Sequence, residues 1–347
     1  MKFIKNIFLF LLVLFLVGAI YLATLEGNYD VKRSIIIKAK PEVIFNDLND
    51  YKNWKEWGPW YEKDSTIQVI YSENTVGVGG SYSWTSEQEG DGFLETLQVE
   101  KPKSLKQEIK FITPFGDMKS DMNWNLEEIE EGTKVTWIIK GEISFFYRFK
   151  VKGMVEEVGF MEERGLELLA KHIQNKIKVY HIENEGVVDY SGGFYLYTTT
   201  SSKISEMGTK FPAMLAKVGD FVSSNHIRTS GSSFTIYHKF DQQNGTTMFS
   251  VCTPIPERMI TPKGTDILTG FMKRGKYVKT TLQGSYENSK MAWDKAMIGV
   301  EELIDYTMLE NGEPFEVYVN NILSTPNPAD LITEIYIPVV KVKALDE

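Results

Sequence analysis

The residues of this chain most able to do chemistry are carboxylates alternating with phenols near its end. In Thr333–Pro338 (TEIYIP) a strand sets Glu334 and Tyr336 on one face and Ile335 and Ile337 on the other. One face is apolar enough to be covered by helices. The other presents a carboxylate beside a phenol. In Phe315–Asn321 (FEVYVNN) the same alternation puts Tyr318 on a face with Glu316 and Asn320. A carboxylate ringed by tyrosines offers a cation both charge and π-faces. The residues alone equally allow Glu334 to be a solvated charge on an edge strand. Tyr195, Tyr197, Tyr286 and Trp293 are further candidates, each with plain packing as its alternative.

Other chemistries have less to work with. The four histidines are His172, His181, His226 and His238, and no two have helical i, i+4 spacing. A His-rich metal site is therefore not expected. None of the last three has an evident nucleophile partner, so Ser-His-Asp chemistry is not supported. The single cysteine, Cys252, lies in an apolar run, FSVCTPIP, which reads as core. One cysteine excludes both an internal disulfide framework and a multi-cysteine zinc site. No metal and no cofactor is expected.

These side chains must be held by something larger. A length of 347 residues is more than one core usually serves, and argues for two domains. With 38 Lys and Arg against 47 Asp and Glu, the net charge is −9. Nucleic acid is not the expected partner, because phosphate binding needs a basic surface. A cationic or neutral ligand fits better. Residues 6–25, NIFLFLLVLFLVGAIYLATL, carry no charge, and as a helix they reach about 30 Å, one hydrocarbon core. Small residues are not spaced for cleavage, so the expectation is an uncleaved single-pass anchor over residues 1–27. Lys2, Lys5 and the terminal amine favour a cytoplasmic start and folded domains on the non-cytoplasmic side, against Lys32, Arg33, Lys38 and Lys40.

The first folded region is expected over 28–177. VKRSIIIKA opens as a strand, PEVIFNDLND follows as a short helix with Pro41 at its first turn, and six strand-like runs are divided by turns. Apolar residues then recur every three or four positions from Val151 to Ile177, predicting one long helix. An antiparallel sheet wrapping a long helix, together with the segments PEVIF, NWKEWGPW, GVGGSYSW and EGTKVTW, resembles the START-like helix-grip superfamily, also called SRPBCC or the polyketide cyclase/dehydrase and lipid-transport family. The resemblance implies an apolar ligand cavity rather than one chemistry. Trp57, Trp60, Trp84, Phe93, Trp124 and Trp137 are its candidate lining, with plain core packing as the alternative for each.

The second region, 178–347, reads as strand, helix, strand, strand, twice over. Its helices are expected at about Ser205–Ser223 and over Ser289–Leu309. Gly275–Tyr277, GSYEN, FEVYVNN and TEIYIP resemble the GyrI-like small-molecule-binding domain, found as the effector-binding domain of AraC- and MerR-type regulators. That resemblance implies a groove between the repeats, with the glutamate of the last strand, here Glu334, facing small and often cationic aromatic ligands. The regulators' helix-turn-helix is missing from this sequence, which puts direct transcriptional control in doubt. The whole is thus an α+β chain: transmembrane helix, helix-grip domain, duplicated strand–helix–strand–strand domain. The expected function is membrane-anchored binding of a small hydrophobic or cationic aromatic ligand. The alternative is a hydrolase or cyclase with Glu334 activating water and Tyr336 assisting. Glu316 and Glu287 are then the nominees for a second acid or base.

Overall fold

The computed structural model describes residues 2–88, 90–112, 117–322 and 324–342. The chain divides into two compact units, Met1–Lys176 and Ile177–Glu347.

The first unit begins with helix α1 (Lys2–Thr24), whose span Phe3–Thr24 is long and apolar enough to cross a membrane. Strand β1 (Asn28–Ile37) leads to α2 (Pro41–Asn49) and the one-turn α3 (Trp60–Lys63). Six strands follow: β2 (Gln68–Tyr71), β3 (Ser81–Thr85), β4 (Asp91–Glu100), β5 (Ser104–Ile112), β6 (Met118–Ile129) and β7 (Gly132–Glu142). They form a meander, and β1 closes it by pairing antiparallel with β7. The long helix α4 occupies Val151–Ile177, the range its periodicity predicts. Leu166, Leu169 and Ile173 are buried. Gly165 is there for clearance, because a Cβ at that position would stand 2.6 Å from the Trp137 ring. At the other end of α4, Lys176 and His172 reach the fully buried Asp47 of α2 at 2.7 and 2.9 Å. An isolated carboxylate there would be costly, so this pair of contacts is what permits Asp47 in the core.

Among the described residues, the second unit is one nine-stranded sheet with two α-helices. Its elements are β8 (His181–Tyr190), β9 (Gly193–Lys203), α5 (Met207–Ser224), β10 (Phe234–Asp241), β11 (Thr246–Ile255), β12 (Leu268–Met272), β13 (Gly275–Gln283), α6 (Ser289–Glu301), β14 (Tyr306–Met308), β15 (Phe315–Tyr318) and β16 (Ile332–Lys341). The strand order is β12-β9-β11-β10-β15-β16-β13-β8, with β14 added on β16. The expected duplication is visible in this order: β9-β11-β10 is mirrored by β13-β16-β15, and the repeats meet where β10 pairs with β15. Ile335 and Ile337 do turn to a helix, packing with Ala292, Ala296 and Val300 of α6.

Two expectations are corrected. Helix α6 ends at Glu301, not Leu309, because Tyr306–Met308 pairs instead with Val339–Lys341, the end of β16 that β15 leaves unpaired and that would otherwise expose its backbone groups. Strand β12, which pairs with the outer side of β9, lies outside the predicted strand–helix–strand–strand units. We expect fragments 28–177 and 178–347 each to unfold cooperatively on urea titration, since each holds its own sheet and core. A molten fragment would place a shared core across the boundary.

Candidate functional site

Register decides which candidate residues meet. Val317 of β15 lies opposite Glu334 of β16, and Phe315 lies opposite Tyr336. Glu334 and Tyr336 therefore share a face with Phe315 and Val317, whereas Glu316 and Tyr318 lie on the other face with Ile335. Tyr318, a candidate beside Glu334, is separated from it by this one-residue offset. The two carboxylates therefore lie on opposite faces of the sheet and not in one groove.

On the face of Glu334, an aromatic cluster joins all the central strands. Tyr336 stacks on Phe315 with centroids 4.8 Å apart, and Tyr190 of β8 touches both. Tyr195 packs on Phe234 and Tyr197. Glu334, Tyr336, Tyr190 and Tyr195 border a cavity of about 220 Å³ beside the Ser191–Gly193 turn. Glu334 is not a free charge, however. Lys279 of β13 holds it at 2.9 Å and also holds Glu185 at 3.0 Å, while the Tyr336 hydroxyl donates to it at 2.8 Å. Its charge is met inside the fold.

The helix-covered face holds a carboxylate with different partners. Glu316 is 7% exposed. It accepts hydrogen bonds from the hydroxyls of Tyr237 (2.7 Å) and Tyr318 (2.5 Å) and from the indole N–H of Trp293 (3.0 Å). Among the described residues no cation pairs with it. Phe211 of α5 and Tyr286 pack edge-on against Tyr318, so rings from both helical segments surround this carboxylate. All five rings are half-buried, leaving their remaining surface open. Three neutral donors satisfy the oxygens without cancelling the charge. Burial and the adjacent carboxylate push the hydroxyls of Tyr237 and Tyr318 well above the usual tyrosine range, so both stay protonated donors. Of the candidates read from sequence, Tyr318, Tyr286 and Trp293 belong to this site. Tyr237, Phe211 and the central place of Glu316 were missed. The signal was available: alternation put Glu316 beside Tyr318, but not across from which strand.

In the first unit a cavity of about 290 Å³ lies between the sheet and α4, at the small end of ligand pockets, which run to about 300–1,000 Å³. Trp60, Trp84 and Trp137 line it, with Leu94 and four methionines, Met118, Met122, Met154 and Met161. Trp57 and Trp124 do not line it. They are core, with Trp124 stacked on Trp137 at 4.3 Å. Phe93 alternates with the lining residue Leu94 and so faces the other side of the sheet. The indole N–H of Trp137 is buried without a partner. An acceptor on a bound molecule would satisfy it.

The remaining groups are structural. His238 does have a serine beside it: Nε2 is 2.6 Å from Ser250 Oγ, and Nδ1 is 2.6 Å from Glu313. That corrects the expectation of no nucleophile partner. Yet Ser250 is fully buried in mid-strand, paired with Thr199 on one side and Ile236 on the other, so no substrate carbonyl reaches it. Cys252 is fully buried, and burial pushes its thiol well up, as a core residue requires. Glu287 is exposed.

Comparison with known proteins fits this division. Residues 29–174 match the family model described as polyketide cyclase/dehydrase and lipid transport, and residues 193–339 match that of the integron-associated effector binding protein. No match was found among curated proteins. Solved structures similar to the chain include the C-terminal domain of EcmrR (17% identity over 47% of this chain and 99% of that one, TM-score 0.40). EcmrR in its DNA complex is another (16%, 58% and 73%, TM-score 0.40). Protein MLL2253 from Mesorhizobium loti is a third (17%, 42% and 98%, TM-score 0.33). The chain thus carries a match to the polyketide cyclase/dehydrase and lipid-transport family in its first part and a match to a GyrI-like effector-binding family in its second.

Proposed function

We propose that this chain is a membrane-anchored small-molecule-binding protein whose second unit receives aromatic cations at Glu316. One observation carries the reading. Glu316 is buried among five aromatic rings, holds three neutral donors and has no cation among the described residues. The three hydrogen bonds offset the cost of burying the carboxylate and leave its charge without an opposite partner. A cationic ring compound would supply the missing charge and stack on the open ring surfaces. Glu334 is the weaker receptor, because Lys279 already neutralises it.

The first unit, on this reading, holds an apolar ligand with an acceptor for Trp137, and α1 keeps both units at a membrane with the folded part on the non-cytoplasmic side. The test uses two compounds built on one tricyclic core, the cation ethidium and neutral phenanthridine, titrated by fluorescence into the full chain. Saturable 1:1 binding of ethidium is expected, with phenanthridine held at least tenfold more weakly. Equal affinities would remove charge from the reading.

A further inference from the structure

The turn between β7 and α4 brings exposed aromatic rings together with two cations. Phe145–Lys150 reads FFYRFK and forms a 3-10 helix. Phe146 is 64% exposed and Phe149 is 58% exposed, three residues apart. Single exposed apolar residues are ordinary, but large aromatic rings held out in pairs mark a contact surface. The cations here are attached to the aromatics: Arg148 lies over the Phe145 ring at 5.4 Å, and Lys150 lies 6.0 Å from that of Phe149. The turn is also tied to the end of α1. The Arg148 guanidinium donates to the Leu25 carbonyl at 3.5 Å, and Ile143 N–H donates to the Gly27 carbonyl at 2.8 Å. Gly27 leaves room for this arrangement, since a Cβ there would stand 2.7 Å from Arg148 Nε.

We infer that Phe145–Lys150 is an interfacial foot, seated in the lipid headgroup layer where α1 leaves the bilayer. This rests on the reading of α1 as an anchor. Continuity supplies the occupant. A residue bonded to the carbonyl just past a membrane-spanning helix stands at headgroup depth. At that depth aromatic rings and Arg or Lys side chains are both favoured, the rings among glycerol groups and the cations on phosphates. The foot also fixes the first unit against the membrane. Met154 of the apolar cavity lies one helical turn beyond Lys150, and Tyr29, which also lines it, lies two residues beyond Gly27. The cavity's near end is thereby brought to the membrane surface.

The test uses the full chain in vesicles of phosphatidylcholine with phosphatidylglycerol. On a Cys252→Ala background, Phe149→Cys and, separately, Phe146→Cys carry the fluorophore NBD. Glu131→Cys, in the β6–β7 turn at the opposite end of the sheet, is the control. Flotation with the vesicles reports the anchor. Quenching by lipid bearing a nitroxide near the headgroup reports the foot. We expect co-flotation and at least threefold stronger quenching at 146 and 149 than at 131. Co-flotation with equal quenching at all three positions would overturn the foot and leave the anchor standing. Failure to float would overturn both.

Discussion

Glu162→Gln should stabilise the first unit, and by an amount that grows with pH. Glu162 sits on the buried face of α4, fully buried, with no side-chain partner for either carboxylate oxygen and only the Ile139 backbone nearby. Burial pushes its carboxyl up to about 8, and the opposing charge of Arg33 does not restore it. The folded-state value is thus above the unfolded one. Below about pH 4.5 both states carry the proton, and the residue costs nothing through ionisation. From there to about pH 8 the unfolded state releases its proton and the folded state does not, so stability falls by up to ~1.4 kcal/mol per pH unit. Glutamine has the same shape and no such slope. Urea unfolding followed by tryptophan fluorescence checks this, since six of the seven tryptophans lie in this unit. Wild type and variant should coincide near pH 4.5 and differ by a few kcal/mol at pH 8. A difference independent of pH would mean that ionisation of Glu162 plays no part.

Glu316→Leu should have the opposite sign in the second unit. Leucine fills similar space but takes the acceptor from Tyr237, Tyr318 and Trp293 at once. Tyr318 has a second partner in Thr235 at 3.0 Å. Tyr237 and Trp293 lose their hydrogen-bond acceptor. At about 1–3 kcal/mol per donor orphaned in a buried setting, and with half-buried rings that water partly reaches, the net loss should be ~2–4 kcal/mol. Glu316→Gln keeps an acceptor oxygen and should lose about half as much. Urea midpoints of the second unit separate the two variants. If leucine costs no more than glutamine, the three hydrogen bonds are not holding the sheet.

Much of this architecture is legible in the residues. Helix α4 is readable end to end, because apolar positions at three- and four-residue spacing run unbroken to Ile177. The two faces of TEIYIP follow from alternation alone. What alternation cannot give is the offset between strands. Glu316 and Glu334 each sit beside a tyrosine two positions on, and both look like the same carboxylate groove until the Val317–Glu334 pairing puts them on opposite faces. Lys279 is invisible as a partner for the same reason, since it reaches Glu334 across a strand pair. The tryptophans teach a related point. Trp57 and Trp60 are three apart in one segment, yet only Trp60 lines the cavity, because irregular backbone around Gly58 and Pro59 imposes no period from which a face could be read.

The central claim is that an uncompensated carboxylate receives a cation, and the comparison of Glu316→Gln with Glu334→Gln tests it most directly. Each variant of the full chain is titrated with ethidium and with phenanthridine. Removing the charge at 316 should weaken ethidium by tenfold or more, as a charge-assisted contact contributes roughly 1.5–3 kcal/mol, and should leave phenanthridine nearly unchanged. Removing it at 334 should change ethidium by less than threefold, because that charge is already held by Lys279. Equal ethidium affinity in wild type and Glu316→Gln would contradict the account, and a large loss confined to Glu334→Gln would move the binding site to the other face of the sheet.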